Sequence, residues 1–362
     1  MTSTMPPPVD LLVDWDLAAR TAATFAGAGP KIPAEQAAQA VAELRQAAAI
    51  ATGHVSEVSR LQAVASGSPV LVVDRRGWAE ANCEGFRSLL EPVVAETFSR
   101  RGGKPPMAAL AAVGSRVTGA EVGSLLGFLG SRVLGQFDPF AEPSGRLLLV
   151  APNVVATETE LQAVPRDFRL WVCLHEETHR VQFTANPWLA DHLRDQIRSL
   201  ASDLMSDPGE FAVRLGHAVR GLPELLRGGG DGPSSGSPLL DAVQSPEQRE
   251  RLAALTAVMS LLEGHADVVM DEVGPQVIPT VASIRAAFTA RRAGRGALDR
   301  LLRRLMGLEA KMRQYADGAH FVREVRSRVG IDGFNAVWAE PDHLPRPAEI
   351  ADPAVWVRRV HG

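Results

Sequence analysis

At 362 residues, 46% hydrophobic and 22% charged, the chain is long enough for one to three domains and too apolar for a disordered polymer. A formal net charge of -4 gives no electrostatic case for a nucleic-acid partner, and Lys31, Lys104 and Lys311 are the only lysines among 38 basic residues. That arginine bias, with abundant alanine, is the mark of GC-rich coding rather than of phosphate clamps. Met1 to Asp10 is polar and Pro-rich, without the apolar core of a secretory signal, and no run of about 18 apolar residues suggests a membrane partner. Cys83 and Cys173 are too few for a disulfide framework, so a cytoplasmic, reduced protein is expected.

In chain order, Trp15 to Ala26, Ala34 to Ala51 and His54 to Ala65 read as Ala-rich helices separated by breaks such as Gly29-Pro30. Pro69 to Asp74 is short, β-branched and bounded by turn residues, the pattern of a strand. A helix is predicted from Trp78 to Phe98, interrupted near Pro92, and Gly102 to Pro106 marks a boundary or long loop. Between Gly119 and Leu134, Gly123, Gly127 and Gly130 recur among large apolar residues, which predicts close approach of a neighbouring helix. Arg146 to Val150 reads as a second strand, offering an edge to an extended peptide. A Pro-started helix follows from Pro165 to Thr184.

Asp191 to Arg227 is helical in pattern, and the Gly/Ser-rich segment 228–236 reads as an exposed loop. Ser245 and Gln248 form a capping box that opens a helix running to Val273, where Gly274-Pro275 stops it. A long Arg-studded helix is predicted from Ala297 to Val329, and the tail, with Trp338, Pro341, Pro345, Pro347 and Trp356, reads as mostly irregular. The division expected is a helical region over 1–105 packed on a region over 106–362.

The chemistry concentrates in His175-Glu176-Glu177-Thr178-His179. Residues four apart share one face of a helix, so His175 and His179 can grip one metal ion while Glu176 stands ready to take a proton from water. Phe168, Trp171, Val172, Val181 and Phe183 surround the motif and predict a buried helix. Cys173 falls on the opposite side of that helix and reads as a small core residue.

A catalytic zinc needs a third protein ligand. The compact pattern with a further His six residues on fails, because Ala185 stands there and Gln182 replaces the glycine it requires. Leu261 to Asp267 supplies the alternative. Glu263 and Asp267 lie four apart on one face, so Glu263 can ligate while Asp267 holds the second nitrogen of a ligand histidine. His265 lies about 200° around the helix from Glu263 and stays open as a competing ligand or substrate contact. Tyr315, the only tyrosine, is a candidate to stabilise an oxyanion. Gln182, His192 and His320 read as structural or exposed.

The chain resembles the zincin-like metallopeptidases, in particular a group from high-GC bacteria and their relatives assigned as zinc hydrolases, some of them associated with deazaflavin coenzyme biosynthesis. The resemblance spans nearly the whole chain, through Asp74 to Trp78, Val133 to Asp138, His175 to Gln182, Leu262 to Asp267, Lys311 to Tyr315 and Pro353 to Val360. It implies a zinc site and a peptidase-like fold. Leu262 departs from the Asn that often precedes the ligand Glu in glutamate-type zincins. The expectation is a predominantly helical α+β protein with a zincin-like core, an active-site helix carrying the motif and a small sheet. Its reaction is zinc-dependent hydrolysis of a peptide, the competing readings being a non-peptide amide substrate or a catalytically silent, zinc-stabilised interaction protein.

Overall fold

A computed structural model describes residues 8–62, 68–100, 108–206, 246–293 and 308–362, with side chains over 8–62, 68–100, 114–203, 246–290 and 317–362. The expectations for 102–106, for 207–227 of the helical stretch from Asp191, and for 228–236, Ser245 and 297–307 fall outside the described residues. The chain forms two compact units, Met1–Ala190 with Glu272–Ala287, and Asp191–Asp271 with Phe288–Gly362.

After a 3-10 turn at Pro8–Leu11, the first unit has α1 (Trp15–Ala26), whose N-terminus is capped by Asp14 accepting from the Leu17 amide at 2.8 Å. Ala18, Ala22 and Ala26 form its buried face. The small face lets α1 touch α4 (Ala108–Gly130) almost backbone to backbone. A Cβ on Gly123 would lie 2.5 Å from the Ala18 carbonyl oxygen, so the glycine stripe is there for close packing, as its spacing predicts.

Between them come α2 (Ala34–Ser59), β1 (Val70–Val73) and α3 (Arg75–Arg100). The break expected between Ala51 and His54 is absent, and α2 ends at Ser59 rather than Ala65. An interior glycine such as Gly53 costs about 1 kcal/mol, less than burial of Leu44, Ala48, Ala51 and Val55 returns. The same balance carries α3 through Pro92, where Leu89, Val93 and Val94 are buried.

Two elements that the periodicity did not announce follow: β2 (Gly135–Asp138) and, directly after β3 (Arg146–Val150), the helix α5 (Ala151–Glu160). The sheet has the order β1-β3-β2, with β1 parallel and β2 antiparallel to β3. β3 is therefore the central strand and offers no edge, which corrects the reading that placed a peptide beside Arg146 to Val150. Gly-Gln-Phe-Asp carries no β-branched alternation, and β2 is a strand because β3 supplies its hydrogen-bond partners. The motif helix α6 (Pro165–Ala185) packs on α2 and on the β2 and β3 part of the sheet.

The second unit holds nearly all of α7 (Trp188–Ser206), most of α8 (Pro246–Val277), all of α10 (Leu308–Phe334) and the tail. The intervening α9 (Val281–Ala293), also unannounced, lies mostly in the first unit. Gly274 has left-handed φ of 67° and bends α8, but the helix resumes for one turn beyond Pro275 instead of stopping. By length and composition α8 could cross a membrane; over half of its apolar stretch is buried, as in a core helix.

α8 and α10 cross in contact. A Cβ on Gly318 would fall 1.9 Å from the Ser260 carbonyl oxygen, and one on Gly264 would fall 2.1 Å from the Gly318 carbonyl carbon. The tail is not irregular. It folds into two 3-10 turns, then α11 (Pro347–Ala351) and α12 (Pro353–His361). Pro347, expected in irregular chain, and Pro353 are first-turn residues, where a missing N–H costs nothing.

Candidate metal centre

α6 starts at Pro165, and its polar residues are anchored before the motif begins. Asp167 accepts from the Thr280 amide and hydroxyl, and Arg169 grips both oxygens of Glu158 at 2.6 and 2.9 Å. On the α2 side, Cys173 is wholly buried with its sulfur 3.7 Å from the Leu44 carbonyl oxygen. Burial, with Glu176 and Glu177 nearby, pushes its thiol far above the ordinary cysteine range, so it is the core residue its position implied. Cys83 is likewise buried, and desolvation followed by the Glu80 charge pushes its thiol up to about 11. Neither thiol is poised as a ligand or nucleophile.

Glu177, fully buried, forms a bidentate pair with Arg180, which also reaches Thr52 on α2 at 3.4 Å. These contacts fix the rotation of α6, so the other face is presented in one orientation. On that face His175 and His179 are half-buried, their rings perpendicular with centroids 4.8 Å apart. Their Nε2 atoms approach to 3.3 Å. Two nitrogens bound to one tetrahedral zinc, each about 2.0–2.1 Å from it, would stand about 3.3 Å apart. The pair fits such an ion without rearrangement.

Glu176 is buried at 7% exposure, and its neighbour is the start of β2. A Cβ on Gly135 would lie 2.5 Å from Glu176 Cγ and 2.9 Å from Oε1, so only glycine leaves this carboxylate its place. Phe137, two residues along β2, meets Phe183 of α6 with centroids 5.6 Å apart. Gln182, read from sequence as structural, is fully buried, and its Oε1 stands 2.9 Å from His179 Nδ1.

In the second unit Glu263 and Asp267 are half-buried on α8, on one face as their spacing requires. His265 points elsewhere. It is 1% exposed, stacked on Phe334 at 5.5 Å and edge-on to Trp338 at 5.3 Å. His192 is half-buried beside a cavity of about 220 Å³ with Gln196, Leu344 and Arg346, where desolvation lowers its pKa. His320 is exposed on α10, and Tyr315 lies on the same helix with its side chain outside the described residues.

A sequence profile of zincin-like metallopeptidases matches residues 13–357. The chain belongs to the zincin-like metallopeptidase family. Among solved structures, this zincin-like chain is similar to a protein of Chloroflexus aurantiacus described as a putative hydrolase with a novel fold. The two share 27% identity over 97% of this chain and 99% of the other, with a TM-score of 0.66. No curated protein matches. The family and the neighbour both point to a hydrolase.

The segments that carry the resemblance acquire physical roles. Asp74 caps α3 by accepting from the Gly77 amide at 2.7 Å, and Arg75 joins Asn153 Oδ1 to the Ala26 carbonyl. Asn153 in turn donates to the carbonyls of Gly130 and Val133. That chain of bonds ties the ends of α1 and α4 to the entry of β2, and so sets where Gly135 meets Glu176.

Proposed function

We propose that the protein is a zinc-dependent metallopeptidase, with His175, His179 and Glu263 as metal ligands and Glu176 as general base. The observation that carries the reading is the convergence of two imidazole nitrogens at 3.3 Å beside a buried carboxylate. Two imidazoles and one carboxylate form a donor set suited to hydrolytic zinc. The choice of Glu263 over His265 is supported by the packing of His265 between Phe334 and Trp338, which occupies the ring. Asp267, on the Glu263 face, is the proposed hydrogen-bond partner of His175.

Zinc supplies Lewis acidity that makes water a nucleophile near neutral pH. Glu176 takes a proton from that water as its oxygen attacks the substrate carbonyl. It then delivers a proton to the departing amine as the C–N bond breaks. The residue is 7% exposed and its carboxylate sits against Gly135, where a side chain would displace it. Tyr315 is the proposed donor to the oxyanion. Among the described residues β2 has a sheet neighbour on one side, so its other edge is the proposed seat of an extended peptide, next to Glu176.

The test is Glu176→Gln against a broad peptide library. The variant is expected to keep its zinc and fold and to lose hydrolysis. Wild type loaded with zinc that cleaves no peptide, but does cleave a non-peptide amide, moves the substrate class. Cleavage of neither supports a zinc-stabilised interaction protein instead.

A further inference from the structure

We propose that Gln182 is a positioning residue for the metal: its amide oxygen fixes the tautomer of His179 that leaves Nε2 available to the ion. The inference rests on the ligand reading above and adds a residue to it. A neutral imidazole carries one N–H, and the partner of one nitrogen decides which nitrogen bears it. Gln182 Oε1 accepts only, and it stands 2.9 Å from His179 Nδ1, so that nitrogen is the donor and Nε2 holds the lone pair. The same Nε2 is the atom that approaches His175 Nε2 at 3.3 Å.

The arrangement is local and stiff. Gln182 follows His179 by three residues, the spacing at which helical side chains meet. It is fully buried, and its own carbonyl accepts from Asn186 Nδ2 at 2.9 Å, which holds the last turn of α6 closed. A buried amide must be hydrogen-bonded, so the ring and the amide constrain each other.

Zinc affinity by chelator competition separates a positioning role from plain packing. Gln182→Met keeps the volume and removes the acceptor, and affinity is expected to fall about tenfold to a hundredfold. Gln182→Glu keeps an acceptor, a stronger one, and is expected to bind at least as tightly as wild type. A packing role predicts the reverse order, with Met tolerated and the buried carboxylate damaging. Histidine nitrogen spectra of metal-free wild type give a reading that needs no variant. They should show His179 protonated at Nδ1, and protonation at Nε2 overturns the inference. Equal affinity of Gln182→Met and wild type, when His179→Ala has lost zinc, overturns it alone. Wild type without zinc, or His179→Ala that retains it, overturns the ligand reading and this inference together.

Discussion

The motif helix and the C-terminal segment both hold polar groups in buried surroundings, and they resolve them differently. In the tail, Arg359 gives Nε and Nη2 to the two oxygens of Glu349, and its remaining donors go to the Asp342 and Leu344 carbonyls. Glu349 also accepts from the Arg346 amide. Although burial alone would raise its pKa, the bonds from Arg359 and Arg346 win and hold the Glu349 carboxyl below the usual range. Opposite charges saturate each other there, and the result is an anchor. On α6 two like groups are aimed at one point, 3.3 Å apart, with a carboxylate pressed beside them by Gly135. On the proposed function a cation completes that arrangement and makes it a reaction centre. Saturation marks structure, and convergence of like donors marks chemistry.

Glu176→Gln probes the reaction centre with the largest expected effect. Loss of a general base should lower kcat/KM by about a hundredfold to ten-thousandfold, with thermal unfolding close to wild type. Glu349→Ala probes the anchor and should do the opposite. It leaves Arg359 without its carboxylate partner and is expected to lower stability by about 3 kcal/mol in denaturant titration, with bound zinc unchanged. Should Glu349→Ala lose zinc at unchanged stability, the two regions are not distinct in kind.

Gly135→Ala comes next. The added methyl displaces Glu176, and a misplaced general base is expected to lose up to about a hundredfold in kcat/KM while zinc stays bound. The pH dependence of the anchor is smaller. A carboxyl whose folded pKa is depressed stabilises fully above its unfolded value, about 4.3, and loses that contribution as pH falls through the folded value. The gap in melting temperature between wild type and Glu349→Gln should therefore be constant above about pH 5 and close under acid. Arg76→Ala, at the exposed Arg76–Glu80 pair, is expected to change neither melting nor turnover.

What the sequence makes legible follows from how far each signal reaches. His175, Glu176 and His179 stand out because one helical turn brings them together, and the α1–α4 contact because glycines recur at helical spacing. Gly135 gives no such sign: its importance is a contact with Glu176, 41 positions on, that only folding creates. β2 is similarly silent, since its four residues owe their pairing to β3. The tail misleads because Pro347 and Pro353 break a helix from within and begin one from its first turn. Gln182 was visible yet indistinct, since a glutamine near the end of a helix is common. Its burial against His179 gives it meaning.

The central claim is the ligand set, and zinc content per chain tests it most directly in wild type, Glu263→Ala and His265→Ala. One zinc in wild type and in His265→Ala, with none in Glu263→Ala, is the predicted result. Full zinc in Glu263→Ala together with loss in His265→Ala would contradict it.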